Sequence, residues 1–296
     1  MKKVSIFLML VMVSWSYAQE TDDLYIQSEF LPSDEVTNIY RLQAGIALPI
    51  INNNTEKFTV GGNLQNTTLN YIDEDVPFET GEIETFNSFG LRFTYERNLR
   101  NDWSIFAMQE SKISSNFRDD NIASEDLFFN AMLTLSKYNG RNNSMLTFGA
   151  AYDIKYGLYY PIPVITYARR LNDNWAYKVG VPDSRVKYTL ANNHDFEGFA
   201  TLNGFTGNIN DEVEVYKEDY SGTLRQTSVV LGLGYNVHFW EKFSATAQGG
   251  YTAYNRMQIQ DYSNNEIYDF DMSNSFYFNV GVKYTFTNKT NDREVY

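Results

Sequence analysis

The sequence predicts an all-β fold, a transmembrane antiparallel up-and-down β-barrel, and three observations lead to that prediction. Residues 276–286 alternate strictly, with one apolar face and one polar or small face, as in a wall between hydrocarbon and water. After the first eighteen residues, no segment has the ~20 consecutive apolar residues that a membrane helix needs. The chain is also 16% aromatic, with 23 Tyr and 21 Phe, which is too rich for a disordered protein. The alternative is a soluble β-sandwich, whose strands would be shorter.

The N-terminal segment predicts export. Lys2 and Lys3 precede an apolar run over residues 4–13, and Ser16-Tyr17-Ala18 has the small-x-small pattern of a cleavage site. The run is too short to span a bilayer, and no cysteine follows it that could carry a lipid. The predicted division is a signal peptide over 1–18 and a single outer-membrane barrel domain over 19–296, ending in a short periplasmic tail over 287–296.

A short turn motif repeats along the chain. In each copy an aromatic or apolar residue closes one strand, a short turn that is mostly rich in Asn or Asp follows, and a similar residue opens the next strand eight positions later. The five pairs are Ile50 with Phe58, Tyr95 with Trp103, Tyr138 with Leu146, Tyr167 with Trp175, and Tyr235 with Phe243. Asn and Asp suit tight turns, and aromatic rings at strand ends are typical of a membrane interface. The motif therefore predicts one set of short turns at one face of the membrane.

Longer polar segments separate these turns, at 70–83, 115–126, 190–222 and 260–272. Between turns and loops we predict twelve strands. They are 23–30, 38–50, 58–71, 84–97, 103–115, 126–138, 144–156, 159–170, 174–190, 222–237, 242–260 and 274–286. Reading Tyr188 and Phe196 as a sixth turn pair gives fourteen strands instead. However, only 12 residues separate Trp175 from Tyr188, and a membrane strand needs ~9–11 on each leg. We therefore prefer twelve strands, with a bulge at Pro182.

The last strand also predicts the location of the protein. Its polar-x-Gly-x-x-aromatic-x-aromatic pattern resembles the terminal signal that the barrel-assembly machinery recognises, and it is carried by Asn279, Gly281, Tyr284 and Phe286. An even number of strands puts both chain ends on the same side. We therefore expect the outer membrane of a Gram-negative-type cell, with both termini in the periplasm. The ten residues that follow Phe286 depart from the pattern, since such barrels usually end there.

The charge of the chain restricts its partners. The formal net charge is -13, which argues against binding nucleic acid. The expected partners are outer-membrane lipid and lipopolysaccharide, and the oligomeric state stays open. Acidic groups at 73–75, 211–219 and 269–271 contain the oxygen ligands that Ca²⁺ prefers, but none has the spacing of an organised calcium loop. We predict solvated loops there, with no metal and no cofactor.

The polar faces of the predicted strands suggest a lumen. The candidate lumen-lining residues are Arg41, Gln43, Arg92, Glu96, Glu110, Gln248, Arg256 and Lys283. Such a mixed-charge interior suits either an aqueous channel or an internal network that plugs the barrel, and the sequence does not decide between them. In the loop 190–222, the first half is too apolar to be fully solvated. It predicts an extracellular hairpin or an inward constriction.

Catalysis is not expected. The chain has 2 His and 0 Cys, which leaves few catalytic arrangements. Ser184, His194 and Asp195 are the residues of a possible Ser-His-Asp site, but no strained nucleophile motif accompanies Ser184. We predict that the protein is not an enzyme.

Four short motifs carry a resemblance to a known family. They are Ser28-Glu29-Phe30-Leu31-Pro32-Ser33, Ile46-Ala47-Leu48-Pro49-Ile50, Pro163-Val164-Ile165-Thr166-Tyr167 and Val179-Gly180-Val181-Pro182. From about Leu24 to Phe286, the chain resembles porin-like outer-membrane barrels grouped as a domain of unknown function. The resemblance implies the fold and the location, and no catalytic or binding residues. The functional expectation is passive passage of small polar solutes through a charged lumen, and the alternative is a plugged barrel with a structural or surface-binding role.

Overall fold

The structure, a computed structural model, describes residues 23–33, 35–72, 76–118, 122–191, 193–240 and 242–286. The predicted signal peptide and tail lie outside these residues. The strands are β1 Asp23–Leu31, β2 Thr37–Asn52, β3 Glu56–Tyr71, β4 Thr85–Asn98, β5 Trp103–Ser115, β6 Leu127–Asn139, β7 Ser144–Tyr152, β8 Ile162–Arg170, β9 Trp175–Val181, β10 Asp183–Ala191, β11 His194–Val215, β12 Glu218–Phe239, β13 Phe243–Asp261, β14 Glu266–Asp269 and β15 Phe276–Thr285. Short 3₁₀ turns lie at Thr80–Glu82, Ser124–Asp126 and Ile154–Tyr156. In the described ranges, no helical segment has the length and apolar character of a membrane span.

The strands pair in chain order, and the sheet closes on itself. Every strand from β1 to β13 pairs antiparallel with the next one. β13 then pairs with β15, and β15 pairs with β1. The short strand β14 extends the sheet beside β13 outside this ring, so the barrel has fourteen strands. The predicted all-β, antiparallel, closed barrel is confirmed, and each strand of the ring pairs with a neighbour on both sides.

The predicted alternation of faces is visible in the last strand. Phe276, Phe278 and Val280 are 61%, 48% and 57% exposed on the outside of the barrel. Between them, Tyr277 and Asn279 are buried inside. A strand of this kind matches an apolar environment outside and a polar one within.

The prediction of twelve strands is wrong. Residues 174–190 do not form one bulged strand, because β9 and β10 pair with each other as a hairpin whose tip is Pro182. The supposed loop 190–222 is mostly strand, since β11 and the start of β12 occupy it. The length argument failed because β9 has only 7 residues and β10 only 9. The wall of the barrel is simply lower at this point.

The two ends of the barrel differ. All five predicted short turns connect consecutive strands at one end, where Asp23 also pairs with Thr285. We call this the turn end, and the opposite one the loop end. The ends of the described chain therefore share the turn end, as an even number of strands requires.

At the loop end the barrel becomes narrower. β11 and β12 each have 22 residues, far more than β9 and β10. β10 begins at Asp183, opposite Thr201 of β11. The part of β11 after Thr201 crosses the loop-end mouth of the barrel, and its Asn208 pairs in parallel with Ser115 of β5. Apolar side chains fill the narrowed part in a loop-end core, which includes Leu31, Ile39, Leu69, Phe86, Phe205, Ile209, Leu224, Met257 and Ile259. Strands β6 to β10 lie to one side of this core, and they surround a wider part of the barrel interior.

The interior chamber as candidate functional site

A chamber of about 320 Å³ lies inside the barrel, on the turn-end side of the loop-end core. Inward-facing positions of most barrel strands line it, because every second residue of a barrel strand points inward. Its charged lining residues are Glu29, Arg92, Glu96, Glu110, Lys112, Asp153, Lys155, Lys178, Asp183 and Arg185. Five of these are acidic and five are basic, so the chamber wall is formally neutral.

Glu110 is the centre of one polar cluster in the wall. Its carboxylate pairs with the Arg92 guanidinium at 2.9 Å, and it accepts hydrogen bonds from Asn63 and Asn130, both at 2.6 Å. Lys112 is on the same face of β5 and donates to Gln65 at 3.4 Å. A carboxylate that accepts from this many donors holds its neighbours in position.

Arg185 is the centre of a second cluster, on β10. Its guanidinium pairs with Asp183 at 2.9 Å and with Glu197 at 3.0 Å. Lys178, on the facing strand β9, approaches Asp183 at 2.6 Å. The Arg185 guanidinium also lies 5.5 Å from the centre of the Phe199 ring, which favours a cation–π contact.

One side of the chamber is apolar. Met108 and Met132 lie directly opposite each other on β5 and β6, and Phe106, Met145 and Val164 also line the chamber. Methionine is flexible and polarisable, so a wall of this kind adapts to apolar groups of different shape. The chamber therefore offers a neutral set of charges together with apolar side chains that are concentrated on β5 to β8.

A cross-barrel cluster separates the chamber from the loop end. Arg41 pairs with Glu29 at 2.6 Å, and it is only 2% exposed. From β2 its guanidinium also donates to Gln226 on β12 at 2.7 Å and to Asn203 on β11 at 3.1 Å. Asn203 in turn donates to Glu29 at 2.9 Å. These four residues hold the crossing part of β11 against the opposite wall.

The segment 153–161 fills the space beside the loop-end core. Ile154 and Tyr156 are buried there, and Tyr156 packs with Ile162 and Val164 of β8. The Thr206 hydroxyl on β11 donates to the carbonyl of Ile154 at 3.3 Å. The loop end is thus closed twice, by the core and by this segment.

The structure places most of the predicted lumen residues inside the barrel. Gln43, Arg92, Glu96, Glu110 and Gln248 line the chamber. Arg41 lies in the cross-barrel cluster, and Lys283 pairs with Asp23 at 3.0 Å, where both side chains are buried. Whether solute passes these side chains stays a prediction.

Arg256 requires a correction. Its side chain is 45% exposed and pairs with Glu266 at 2.8 Å and with Asp269 at 2.7 Å, both on β14. It lies outside the ring because the pairing of β12 with β13 shifts register between Val229 and Val230, which leaves one extra residue as a bulge in β13. Beyond that bulge the inward and outward positions of β13 are exchanged, and Met257 and Ile259 point inward instead.

Sequence reasoning missed several charged residues of the chamber. Lys112 is two positions from Glu110, so simple alternation would have found it. Asp183 and Arg185 were missed because Pro182 was read as a bulge rather than as the tip of a hairpin. Lys155 lies in a 3₁₀ turn, where no strand pattern points to it.

The residues of the possible Ser-His-Asp site do not come together. The Ser184 hydroxyl accepts from the Gly180 amide at 2.8 Å and donates to the Gly180 carbonyl at 2.9 Å. Asp195 instead accepts from Thr189 at 2.6 Å and lies 3.2 Å from His238. Ser184 is opposite Ala200, six positions from His194 along β11.

The remaining sequence motifs are placed as follows. Asn279, Gly281 and Tyr284 lie in β15, the strand that closes the barrel, and Phe286 follows it. Their proposed role in insertion stays a prediction. Of the acidic groups, residues 73–75 lie outside the described part of the chain. Within that part, no group of three His, Asp or Glu side chains is placed to hold a metal.

The chain was compared with known proteins. The model of the family described as Domain of unknown function (DUF6268) matches residues 17–285. No curated protein matches. Among solved structures, the COG4313 outer membrane channel from Pseudomonas putida F1 is 11% identical, with TM-score 0.44, covering 90% of this chain and 96% of that one.

Two further structures have lower TM-scores. The NanC porin is 11% identical, with TM-score 0.40, over 88% of this chain and 99% of that one. LpxR from Salmonella typhimurium is 7% identical, with TM-score 0.32, over 88% of this chain and 100% of that one.

Proposed function

We propose, from the premise that this chain belongs to the family described as Domain of unknown function (DUF6268), that it is an outer-membrane barrel that passes small solutes through its interior chamber. It does so without catalysis. The family match confirms the predicted resemblance. The alternation of apolar outside and polar inside supports the outer membrane as its location. Passage requires the loop end to open, since the core and the segment 153–161 close it in the state described here.

The observation that supports this proposal best is that equal numbers of acidic and basic side chains line the chamber. An interior filled only for stability needs no open space, yet about 320 Å³ remains beside five acidic and five basic side chains. Channels select ions through rings of like charge, and a wall with equal numbers of both signs attracts neither anions nor cations. The chamber therefore favours small solutes that are uncharged or zwitterionic.

The test is a swelling assay with proteoliposomes that contain the full mature chain. We expect swelling in an uncharged or zwitterionic solute of low mass, such as glycerol or glycine, and slower swelling with larger solutes. Matched control liposomes contain the same protein after heat unfolding. If glycerol, glycine and small salts all fail to enter, the protein is not a channel.

A second function is favoured by the loop-end core. Its apolar side chains are packed as in a soluble protein, and several, such as Ile39 and Leu69, are 0% exposed. A barrel closed in this way serves as a structural or surface-binding protein of the outer membrane. This second function predicts no swelling in the liposome assay and no conductance steps in planar bilayers. The same result is expected for variants with a weakened cross-barrel cluster.

A further inference from the structure

The height of the barrel wall varies, and the lowest part is the β9–β10 hairpin. β9 has 7 residues, which gives a length of about 23 Å at about 3.3 Å per residue. With a tilt of about 40°, its height is about 18 Å, while the apolar band of a membrane barrel is about 25 Å tall. Trp175 is exposed at the turn end and marks one border of that band. The tip at Pro182 therefore lies within the hydrocarbon of the opposite leaflet.

The outer surface of the hairpin agrees with contact to lipid up to its tip. Val179, Val181 and Ile165 are 56%, 48% and 57% exposed. The backbone near the tip is also satisfied locally, because the Ser184 hydroxyl bonds to both the amide and the carbonyl of Gly180. Such internal bonding is required where no water is present.

The chamber extends to the inner side of this low wall. Val164, Pro182 and Leu202 line the chamber beside the hairpin tip. Above the tip, β11 from Asn203 onward has no partner on β10, and the segment 153–161 covers the gap instead. Among the described residues, the segment 153–161 therefore covers the chamber at this point.

We propose that the gap above the β9–β10 hairpin is a lateral portal, through which single-chain amphiphiles with an uncharged or zwitterionic headgroup pass between the chamber and the membrane. The inference deepens the proposed function, since it names the substrate class of the same chamber. The apolar wall around Met108 and Met132 takes the alkyl chain. Lys178, Asp183 and Arg185 beside the portal take the headgroup, and Glu197, which pairs with Arg185, makes this group of four neutral. The axial route is unsuited to such a molecule because the loop-end core fills it.

The test uses the absence of cysteine from the chain. A bimane label on Met132→Cys reports from the chamber, and a label on the neighbouring Leu133→Cys, which is 56% exposed, reports from the lipid. The probe is a single-chain phosphocholine with a brominated dodecyl chain, added to proteoliposomes. We expect quenching of both labels. Failure to quench the label at position 132, while the label at 133 is quenched, would overturn the proposal.

The route is tested by variants on each side of the chamber. Tyr156→Ala removes a ring that covers the portal, and we expect the quenching rate at position 132 to rise several-fold. Leu202→Trp narrows the portal and should lower that rate. Ser136→Trp narrows the chamber toward the turn end and should leave it unchanged. If Ser136→Trp alone slows quenching, the amphiphile enters from the turn end, and the portal is wrong.

The two proposals fail in different ways. Swelling in glycine that is faster than in the control liposomes, without quenching at position 132, means that the channel exists and the portal does not. Quenching that responds to Tyr156→Ala and Leu202→Trp, without swelling, supports the portal and contradicts aqueous passage.

Discussion

Glu29 and Arg41 form an ion pair of 2.6 Å between β1 and β2, and both side chains are almost fully buried. Each also reaches β11 across the barrel, because Asn203 accepts from Arg41 and donates to Glu29. The pair therefore anchors the strand that crosses the mouth, and it connects the wall of the barrel to the closure of the loop end.

Removal of Arg41 should loosen that closure. Arg41→Ala leaves Glu29 buried without its cation, and breaking a buried pair in this way costs about 3–5 kcal/mol of unfolding free energy. We expect a lower urea midpoint in lipid vesicles and more frequent openings in planar bilayers. Arg141→Ala, in the exposed turn between β6 and β7, is the control. Unchanged stability in Arg41→Ala would show that the pair is not buried as described.

Neutralising Glu110 should change the selectivity of the chamber. Glu110→Gln leaves an excess of one basic side chain among the charges that line it. We expect the reversal potential in a KCl gradient to shift toward anion preference in open bursts. Arg92→Gln, its partner at 2.9 Å, should shift the potential in the opposite direction. Equal potentials in both variants would place the conducting path elsewhere.

Gly180 should not tolerate a side chain. Its φ is +148°, and a Cβ would lie 1.9 Å from the carbonyl oxygen of Ile165. Gly180→Ala must therefore distort the β8–β9 pairing, and we expect less folded, heat-modifiable protein on gels. The matched control is Gly249→Ala, where a Cβ meets nothing within 4 Å. If both variants fold equally well, the hairpin does not have the geometry described here.

Arg256 should not affect selectivity. Since it pairs with Glu266 and Asp269 outside the ring, Arg256→Gln should leave the reversal potential unchanged. It should instead expose β14 to limited proteolysis. A change of ion preference in this variant would show that Arg256 faces the lumen, as the sequence predicts.

The turn motif shows how far sequence reasoning extends. All five pairs that were accepted at eight-residue spacing lie at real hairpins. The sixth pair, Tyr188 with Phe196, lies at the β10–β11 turn in the same way. The usual length of a membrane strand argues against this sixth turn, but β9 and β10 are shorter than that length. The local signal was correct, and the general expectation was not.

The sequence by itself determined the closed antiparallel barrel, its apolar outside and its short turns, because these follow from alternation and turn chemistry within a few residues. Only the tertiary structure decided that β11 crosses the mouth to Ser115, and that Arg41 meets Gln226 across the barrel. It also decided that a bulge turns Arg256 outward. These features depend on contacts between distant strands and on a register shift, and neither leaves a periodic trace in the chain.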